Sequence, residues 1–105
     1  MDLNDYQTAA LHTAMEKDDM VLYCVLSLAG EAGEVVEHIK KSYYHGHRFD
    51  AQHLMDECGD VLWGVAVLAH HLGFTLGYVA EHNLAKLAKR YPEGFSEERS
   101  RNRTE

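Results

Sequence analysis

Apolar residues recur at helical spacing along most of the chain, and short polar breaks separate the segments that carry this pattern. The first segment predicts a helix over about 5–17, with Asn4 or Asp5 as its N-cap. The second segment predicts a long helix over about 20–44. Gly46 is expected to end it, because glycine readily adopts the left-handed conformation found just after a helix.

Two further helices are expected, over about 51–72 and about 76–91. Capping and breaking residues flank them, namely Asp50 and Thr75 before and Gly73 and Pro92 after. No stretch alternates like a strand for long enough to compete. Four helices with short connections indicate an all-α, single-domain protein that resembles a four-helix bundle.

The third predicted helix is apolar on nearly every side between residues 61 and 72. A helix of this kind must be buried on several sides, and a domain of 105 residues has few other residues to cover it. We therefore expect a homodimer or a dimer of dimers. Trp63 projects about 160° from the main apolar stripe, which favours a place at a subunit contact or beside a ligand.

The composition is typical of a globular protein and does not indicate a function. A hydrophobic fraction of 46% and a charged fraction of 26% are ordinary for a globular domain. We assign 1–95 to one helical domain and 96–105 to a polar, flexible tail. The net charge of -7 argues against a nucleic-acid partner.

The same sequence lacks the signals of secretion and of membrane insertion. No apolar run approaches the roughly 20 residues of a membrane span, and residues 1–5 do not resemble the start of a signal peptide. Cys24 and Cys58 form neither a CxxC motif nor a disulfide framework. These features predict a reducing, cytoplasmic location and no membrane partner.

Two acidic pairs stand out because they lie beside the apolar stripes of their helices. On the second helix, Glu31 and Glu34 lie about 60° and about 120° to one side of Leu28. On the third helix, Glu57 and Asp60 lie about 40° and about 100° to one side of the stripe centre. Each helix thus carries two carboxylates at i, i+3 near the edge that should face the core.

Carboxylates drawn into a helical bundle are costly unless a cation pairs with them. Oxygen ligands suit a hard divalent ion, so this arrangement favours Mg²⁺, with Mn²⁺ as a substitute. The alternative is that the four side chains reach solvent from boundary positions. Spacing alone leaves both interpretations open.

The fourth helix adds polar side chains to an apolar stripe. Asn83 and Arg90 lie within about 20° of each other on it, and Lys86 lies about 60° from Asn83. An amide and two cations would complement an acidic metal site if an anionic ligand lay between them. Internal ion pairing with the acidic helices is the alternative.

These residues resemble a known family. Glu31 and Glu34, followed after 22 intervening residues by Glu57 and Asp60, resemble the ExxE…ExxD signature of the MazG-like, all-α nucleoside triphosphate pyrophosphohydrolases. The segment 83–95 is similar to the closing segment of that family, and the resemblance extends over about 3–95.

The resemblance implies an activity and a set of site residues. The activity is magnesium-dependent hydrolysis of (deoxy)nucleoside triphosphates to the monophosphate and pyrophosphate, with house-cleaning of the nucleotide pool as a role. Family members are dimers or dimers of dimers whose site is completed across the subunit interface. The implied metal ligands, which are also the catalytic group, are Glu31, Glu34, Glu57 and Asp60. The implied phosphate contacts are Asn83, Lys86 and Arg90.

Two glycines depart from what a helix interior favours. Gly33 and Gly59 each precede the last carboxylate of a pair, at a cost of roughly 0.5–1 kcal/mol relative to alanine. Close approach of the helices at the metal site would account for them. Glu34 is the candidate proton acceptor, because it lies farther than Glu31 from the centre of its stripe.

Three other interpretations compete with this one. A di-iron or di-manganese bundle requires Glu-x-x-His pairs, and no histidine follows any of the four carboxylates at i+3. A non-catalytic oligomerisation or regulatory module would keep the bundle without needing the full set of site residues. A related enzyme acting on phosphoribosyl-ATP would share the acidic motif.

Overall fold

The computed structural model describes residues 1–103, which form five α-helices and no strand beyond an isolated bridge between Pro92 and Gly94. The all-α prediction is therefore confirmed. The helices are α1 (Leu3–Leu11), α2 (Met20–Tyr44), α3 (Ala51–His71), α4 (Leu76–Arg90) and α5 (Glu97–Arg101). The bounds of α2 agree with the sequence-based prediction, and α3 and α4 each end one residue earlier than expected.

The predicted caps of α3 and α4 are confirmed. A carboxylate oxygen of Asp50 accepts from the backbone N–H of His53, and the Thr75 hydroxyl accepts from that of Tyr78. Each contact satisfies one of the backbone donors that the first turn of a helix leaves without a partner. Gly46 follows α2 with a φ of 72°, as its predicted role in ending that helix requires.

The prediction for α1 is wrong at both ends. Asp2, and neither Asn4 nor Asp5, is the N-cap, and it forms a capping box with Asp5. The helix ends at Leu11 instead of continuing to about residue 17. Residues 12–19 are largely exposed, so they lack the packing that would hold another turn of helix in water.

Helices α2 and α3 pack against each other more extensively than any other pair and run antiparallel. Leu28 faces Gly64, where an added Cβ would lie 3.5 Å from the Leu28 Cδ1 atom. Farther along the hairpin, the rings of His38 and His53 lie 5.1 Å apart. A Cβ at Gly64 would make ordinary van der Waals contact with Leu28, so the helices pack directly on each other at this point. The Leu28–Gly64 and His38–His53 pairs define the register in which side chains of the two helices meet.

A buried glutamine of α1 joins α3 to α4. Gln7 is 6% exposed; its Nε2 donates to the carbonyls of Ala66 and Phe74, and its Oε1 accepts from the N–H of Leu76. All hydrogen-bonding groups of the amide thus find partners despite burial. The side chain ties the last part of α3, the turn and the first residue of α4 together.

Asn4 completes the start of α4. Its Oδ1 accepts from the N–H of Gly77 at 2.8 Å, and a Cβ at Gly77 would lie 2.9 Å from that oxygen. Side chains of Gln7, Asn4 and Thr75 therefore satisfy the first three N–H groups of α4. The direction of α4 is set from α1 as a result, and α4 turns by 101° from α3.

Trp63 packs against α1 of its own chain, and its predicted place at a subunit contact or beside a ligand stays a prediction. Its Nε1 donates to the Ala10 carbonyl and to the Thr13 hydroxyl. The half-buried ring packs on the small core formed by Ala10, Ala66 and Leu76. The side of α3 opposite the main stripe is covered by α1, because α1 crosses there to reach the α3–α4 corner.

A single chain does not close into a four-helix bundle. Helix α4 packs mainly against α1 and α3. The chain has a radius of gyration of 16.8 Å, whereas a compact chain of this length would have one of about 13 Å. Large apolar side chains remain exposed on α2, α3 and α4, among them Leu22, Val25, Leu26, Val36, Leu62, Leu84 and Leu87. The bundle-like prediction fails within one chain because the 101° corner carries α4 away from α2.

The C-terminal segment contains a short helix, α5, whose N-cap is Ser96. The predicted flexibility of 96–105 stays a prediction, and Thr104 and Glu105 lie outside the described residues. No individual helix in residues 1–103 has the length and apolarity to cross a membrane, whereas α3 and α4 taken together satisfy both criteria but are bent by 101°.

We expect Gln7→Ala to lower the free energy of unfolding by about 2–4 kcal/mol, because it leaves buried donors and acceptors at the α3–α4 corner without partners. Urea denaturation followed by circular dichroism measures the change. Thr8→Ala is the matched control, since Thr8 is exposed and bonds only within α1; it should shift stability by no more than about 0.5 kcal/mol. Equal effects of the two substitutions would contradict the role of Gln7.

Candidate functional site

Three of the four predicted carboxylates converge in the middle of the α2–α3 hairpin. Glu31 of α2 is half-buried, Glu57 of α3 is 7% exposed, and Asp60 is exposed one turn farther on. One carboxylate oxygen of each lies within 4.8 Å of the other two. We call these three residues the acidic cluster. The two i, i+3 pairs thus meet across the hairpin through three of their four members.

Glu34 lies beside the cluster rather than inside it. Its side chain is exposed, and its charge contributes to the raised pKa of Glu31. It also lines a cavity that Glu57 shares. Its position is therefore next to the cluster, with its carboxylate open to solvent.

The face of α2 that meets α3 is rotated relative to the predicted stripe. It contains Cys24, Leu28, Glu31 and Val35, which are buried or half-buried, whereas Val25 is 47% exposed. This spacing of three and four residues is typical of a narrow helix-to-helix seam. Glu31 lies within the contact face and not to one side of it, so its carboxylate points between the helices.

Electrostatics make the acidic cluster unfavourable without a cation. Burial raises the pKa of Glu31, and the neighbouring charges of Asp60, Glu34 and Glu57 raise it further. The Oε2 atom of Glu57 is buried and has no hydrogen-bond partner in residues 1–103, while its Oε1 lies 3.3 Å from Nε2 of His53. A buried carboxylate oxygen beside two other carboxylates lacks the compensation that burial normally requires.

The donor set fits a hard divalent cation. All three side chains offer carboxylate oxygens, the ligands that Mg²⁺ prefers, and Mg²⁺ keeps water or phosphate oxygens in its other positions. The unpartnered Glu57 Oε2 is the atom that such an ion would satisfy. The residues present therefore fit the metal that the sequence predicts.

A cavity of about 340 Å³ adjoins the cluster. It is lined by Glu34, Glu37, His38, Lys41, His53 and Glu57. Of the lining residues, His38 has its ring 5.1 Å from that of His53. The His38 ring also lies 5.7 Å from that of Phe49, which does not line the cavity. Sequence reasoning did not select His53, although its i, i+4 relation to Glu57 places both on one face of α3.

The predicted residues of α4 lie elsewhere in the chain. Asn83 and Lys86 are exposed and Arg90 is half-buried, and none of them lines the cavity beside the acidic cluster. Their expected core-facing position is wrong within one chain, because α4 leaves the hairpin at 101°. The lengths of α3 beyond Asp60 and of α4 up to Arg90 place Arg90 roughly 25 Å from the cluster.

The two glycines of the acidic pairs do not mark a close approach of helices. A Cβ built at Gly33 or Gly59 would meet nothing within 4 Å. At Gly64, by contrast, a Cβ would make ordinary van der Waals contact with Leu28. The predicted reason for Gly33 and Gly59 is therefore wrong for the isolated chain.

Glu31→Gln should stabilise the metal-free protein, since it removes a carboxylate whose pKa burial and like charges raise. A raised folded-state pKa means that the wild type loses stability as pH rises through it, so the gain should be larger at pH 7.5 than at pH 5. Melting curves in EDTA measure this, and added Mg²⁺ should stabilise the wild type but not the variant.

Glu37→Gln is the matched control for this change. Glu37 lies on the same helix, is exposed and pairs with Lys41 at 3.9 Å, so its removal should alter stability little at either pH. A wild-type protein that Mg²⁺ does not stabilise, or a Glu31→Gln protein that is less stable in EDTA, would show that the carboxylates do not form a strained cation site.

Comparison with known proteins agrees with this geometry. The MazG nucleotide pyrophosphohydrolase domain matches residues 21–95, a span that includes all four carboxylates. The Gene 37 protein of Mycobacterium phage L5 is 34% identical over 105 residues, an alignment that covers 90% of this chain and 92% of that relative. No solved structure matches the chain. On the extent of the domain match, this chain belongs to the MazG nucleotide pyrophosphohydrolase family.

Proposed function

We propose that this protein hydrolyses (deoxy)nucleoside triphosphates to nucleoside monophosphate and pyrophosphate with Mg²⁺, for which Mn²⁺ can substitute. The observation that carries the proposal is the acidic cluster of Glu31, Glu57 and Asp60, formed inside a MazG domain. House-cleaning of the nucleotide pool is the role that fits this activity.

Four carboxylates have assigned roles in the proposal. Glu31, Glu57 and Asp60 hold the metal through the oxygens that already lie within 4.8 Å of one another. Glu34 supplies a further ligand after a change of side-chain rotamer, since its charge is already sensed at Glu31.

The chemistry requires a nucleophile, a proton acceptor and charge compensation. When bound, Mg²⁺ compensates charge on the triphosphate oxygens and lowers the pKa of a coordinated water. Glu34 accepts the proton of the water that attacks the α-phosphorus, because it is exposed beside the cluster rather than enclosed in it. Attack in line with the departing group breaks the bond to pyrophosphate and leaves the monophosphate.

Asn83, Lys86 and Arg90 are the proposed phosphate contacts. Within one chain α4 turns away from the acidic cluster, so these residues serve a cluster on another subunit. Lys86 offers a compact charge and Arg90 a fork of donors, both suited to phosphate oxygens. The site is therefore proposed to be shared between protomers.

The proposed assembly is a homodimer or a dimer of dimers. Exposed apolar side chains on α2, α3 and α4 form a larger apolar surface than soluble monomers usually leave in water. The open shape of the chain leaves a side of the α2–α3 hairpin available to a second copy. A second copy would close the bundle that one chain leaves open.

The activity test is a panel of nucleoside triphosphates and phosphoribosyl-ATP with Mg²⁺, in which pyrophosphate and orthophosphate are detected separately. Pyrophosphate should be the primary product, and only with a divalent cation. Orthophosphate as the primary product would indicate a phosphatase, turnover of phosphoribosyl-ATP alone would indicate that related enzyme, and no turnover at all would favour a non-catalytic module.

Glu57→Gln and Asp60→Asn should each reduce kcat by at least about a hundredfold while the protein stays folded, because each removes a metal ligand. Asp56→Asn is the matched control: Asp56 is an exposed neighbour on α3 outside the cluster, and its activity should stay near that of the wild type. Full activity of either cluster variant would contradict the assignment of these residues as catalytic metal ligands.

The assembly test is sedimentation at micromolar concentration. The wild type should sediment as a dimer or tetramer, and the double variant Leu22→Asp, Leu26→Asp should shift towards monomer, because it would bury two charges in the interface. Both leucines are exposed in the single chain, at 54% and 63%, so the fold itself should survive. Gln52→Asp, at an exposed position of α3, is the control. A folded wild-type monomer would refute the assembly.

A further inference from the structure

The two carboxylate oxygens of Glu57 have different surroundings. Oε2 is buried and has no hydrogen-bond partner in the described part of the chain. Oε1 lies 3.3 Å from Nε2 of His53, one helical turn earlier on α3. A histidine therefore contacts one oxygen of this buried side chain, and the other oxygen is left for a different partner.

This difference matters because a carboxylate is free to turn. Rotation about the terminal torsion of a glutamate side chain has a broad, shallow energy profile. A contact on one oxygen narrows that rotation and fixes the direction of the second oxygen. Carboxylates that bind metals in proteins are usually oriented in this way by a hydrogen-bonding neighbour.

The position of His53 is itself set by both helices of the hairpin. Its backbone N–H donates to a carboxylate oxygen of Asp50, the N-cap of α3, at 3.2 Å. Its ring lies 5.1 Å from the ring of His38 of α2, with an angle of 42° between the two planes. The i, i+4 spacing places its side chain on the same face of α3 as Glu57.

The turn before α3 holds His38 in place. The backbone N–H of Asp50 donates to Nε2 of His38 at 3.4 Å, and the ring of Phe49 lies 5.7 Å from the His38 ring. Contacts thus run without interruption from the turn to His38, from His38 to His53, and from His53 to the carboxylate of Glu57.

The lysine that lines the same cavity does not contact Glu57 in this way. Lys41 lies 3.9 Å from Glu37, and both side chains are about half exposed. The pair formed by His53 joins an exposed ring to a buried carboxylate. An ion pair with an exposed member contributes little to stability, so the main effect of His53 is expected on the direction of the Glu57 carboxylate.

We infer that His53 is a positioning residue of the metal centre: it contacts Oε1 of Glu57 and thereby directs Oε2 towards the divalent cation. The inference rests on the proposed function, because it requires the acidic cluster to bind that cation. His53 does not bind the metal. Its Nε2–H can donate to a carboxylate in the neutral and in the charged form of the ring.

Mn²⁺ binding to the assembled protein without nucleotide tests the role of His53. Electron paramagnetic resonance measures the free ion, so the result does not depend on turnover. His53→Ala should weaken Mn²⁺ binding by roughly tenfold to a hundredfold, which is typical for the loss of a group that orients a metal ligand. His53→Gln should restore most of the affinity, because the glutamine amide keeps an N–H donor within reach of Glu57.

His70→Ala is the matched control. It makes the same substitution at an exposed histidine of the same helix, away from the acidic cluster, and should bind Mn²⁺ as the wild type does. Circular dichroism in EDTA should show the same helical content for all three variants. Rescue by glutamine separates orientation of Glu57 from a general effect of losing a side chain.

Unchanged affinity of His53→Ala would overturn the inference, as would equal weakening by His53→Ala and His53→Gln. A wild-type protein that binds no Mn²⁺ would overturn both this inference and the proposed function. A wild-type protein that binds Mn²⁺ but releases no pyrophosphate would contradict the proposed function alone, and the expected order of affinities would still establish the role of His53.

Discussion

The architecture depends on the side chain of Gln7. Its amide is buried and makes three hydrogen bonds that connect the last turns of α3, the following turn and the first residue of α4. Such a fully satisfied buried amide holds one geometry, because every alternative leaves polar groups without partners. It therefore fixes the corner at 101° and, through the corner, where α4 lies relative to the α2–α3 hairpin.

The α2–α3 register is the second constraint, and it creates the candidate metal centre. Leu28 meets the glycine at position 64, and the same register brings Glu31 against Glu57 and Asp60. The contact is favourable for the apolar side chains and unfavourable for the carboxylates, as the raised pKa of Glu31 indicates. A hairpin that keeps three carboxylates together despite their unfavourable electrostatic energy is typical of a protein in which a bound cation offsets that energy.

Charge and apolar surface are both left unbalanced in a single chain. The acidic cluster lies on α2 and α3, Lys86 and Arg90 lie on α4, and apolar side chains stay exposed along these helices. Assembly and ligand binding could correct these imbalances together, by covering apolar surface and by bringing opposite charges to a shared substrate. The proposed shared site is a consequence of this geometry.

The sequence by itself determined helices α2, α3 and α4 and the acidic pairs, because caps such as Asp50 and local i, i+3 spacing act within a few residues. The sequence could not determine which side of α2 meets α3, because the apolar face of α2 is wider than the surface that contacts α3. Nor could it place Trp63, which donates to Ala10, or the polar residues of α4, whose direction depends on the hydrogen bond between Leu76 and the distant Gln7. Tertiary structure decided these positions, because contacts between distant segments fix orientations that periodicity leaves open.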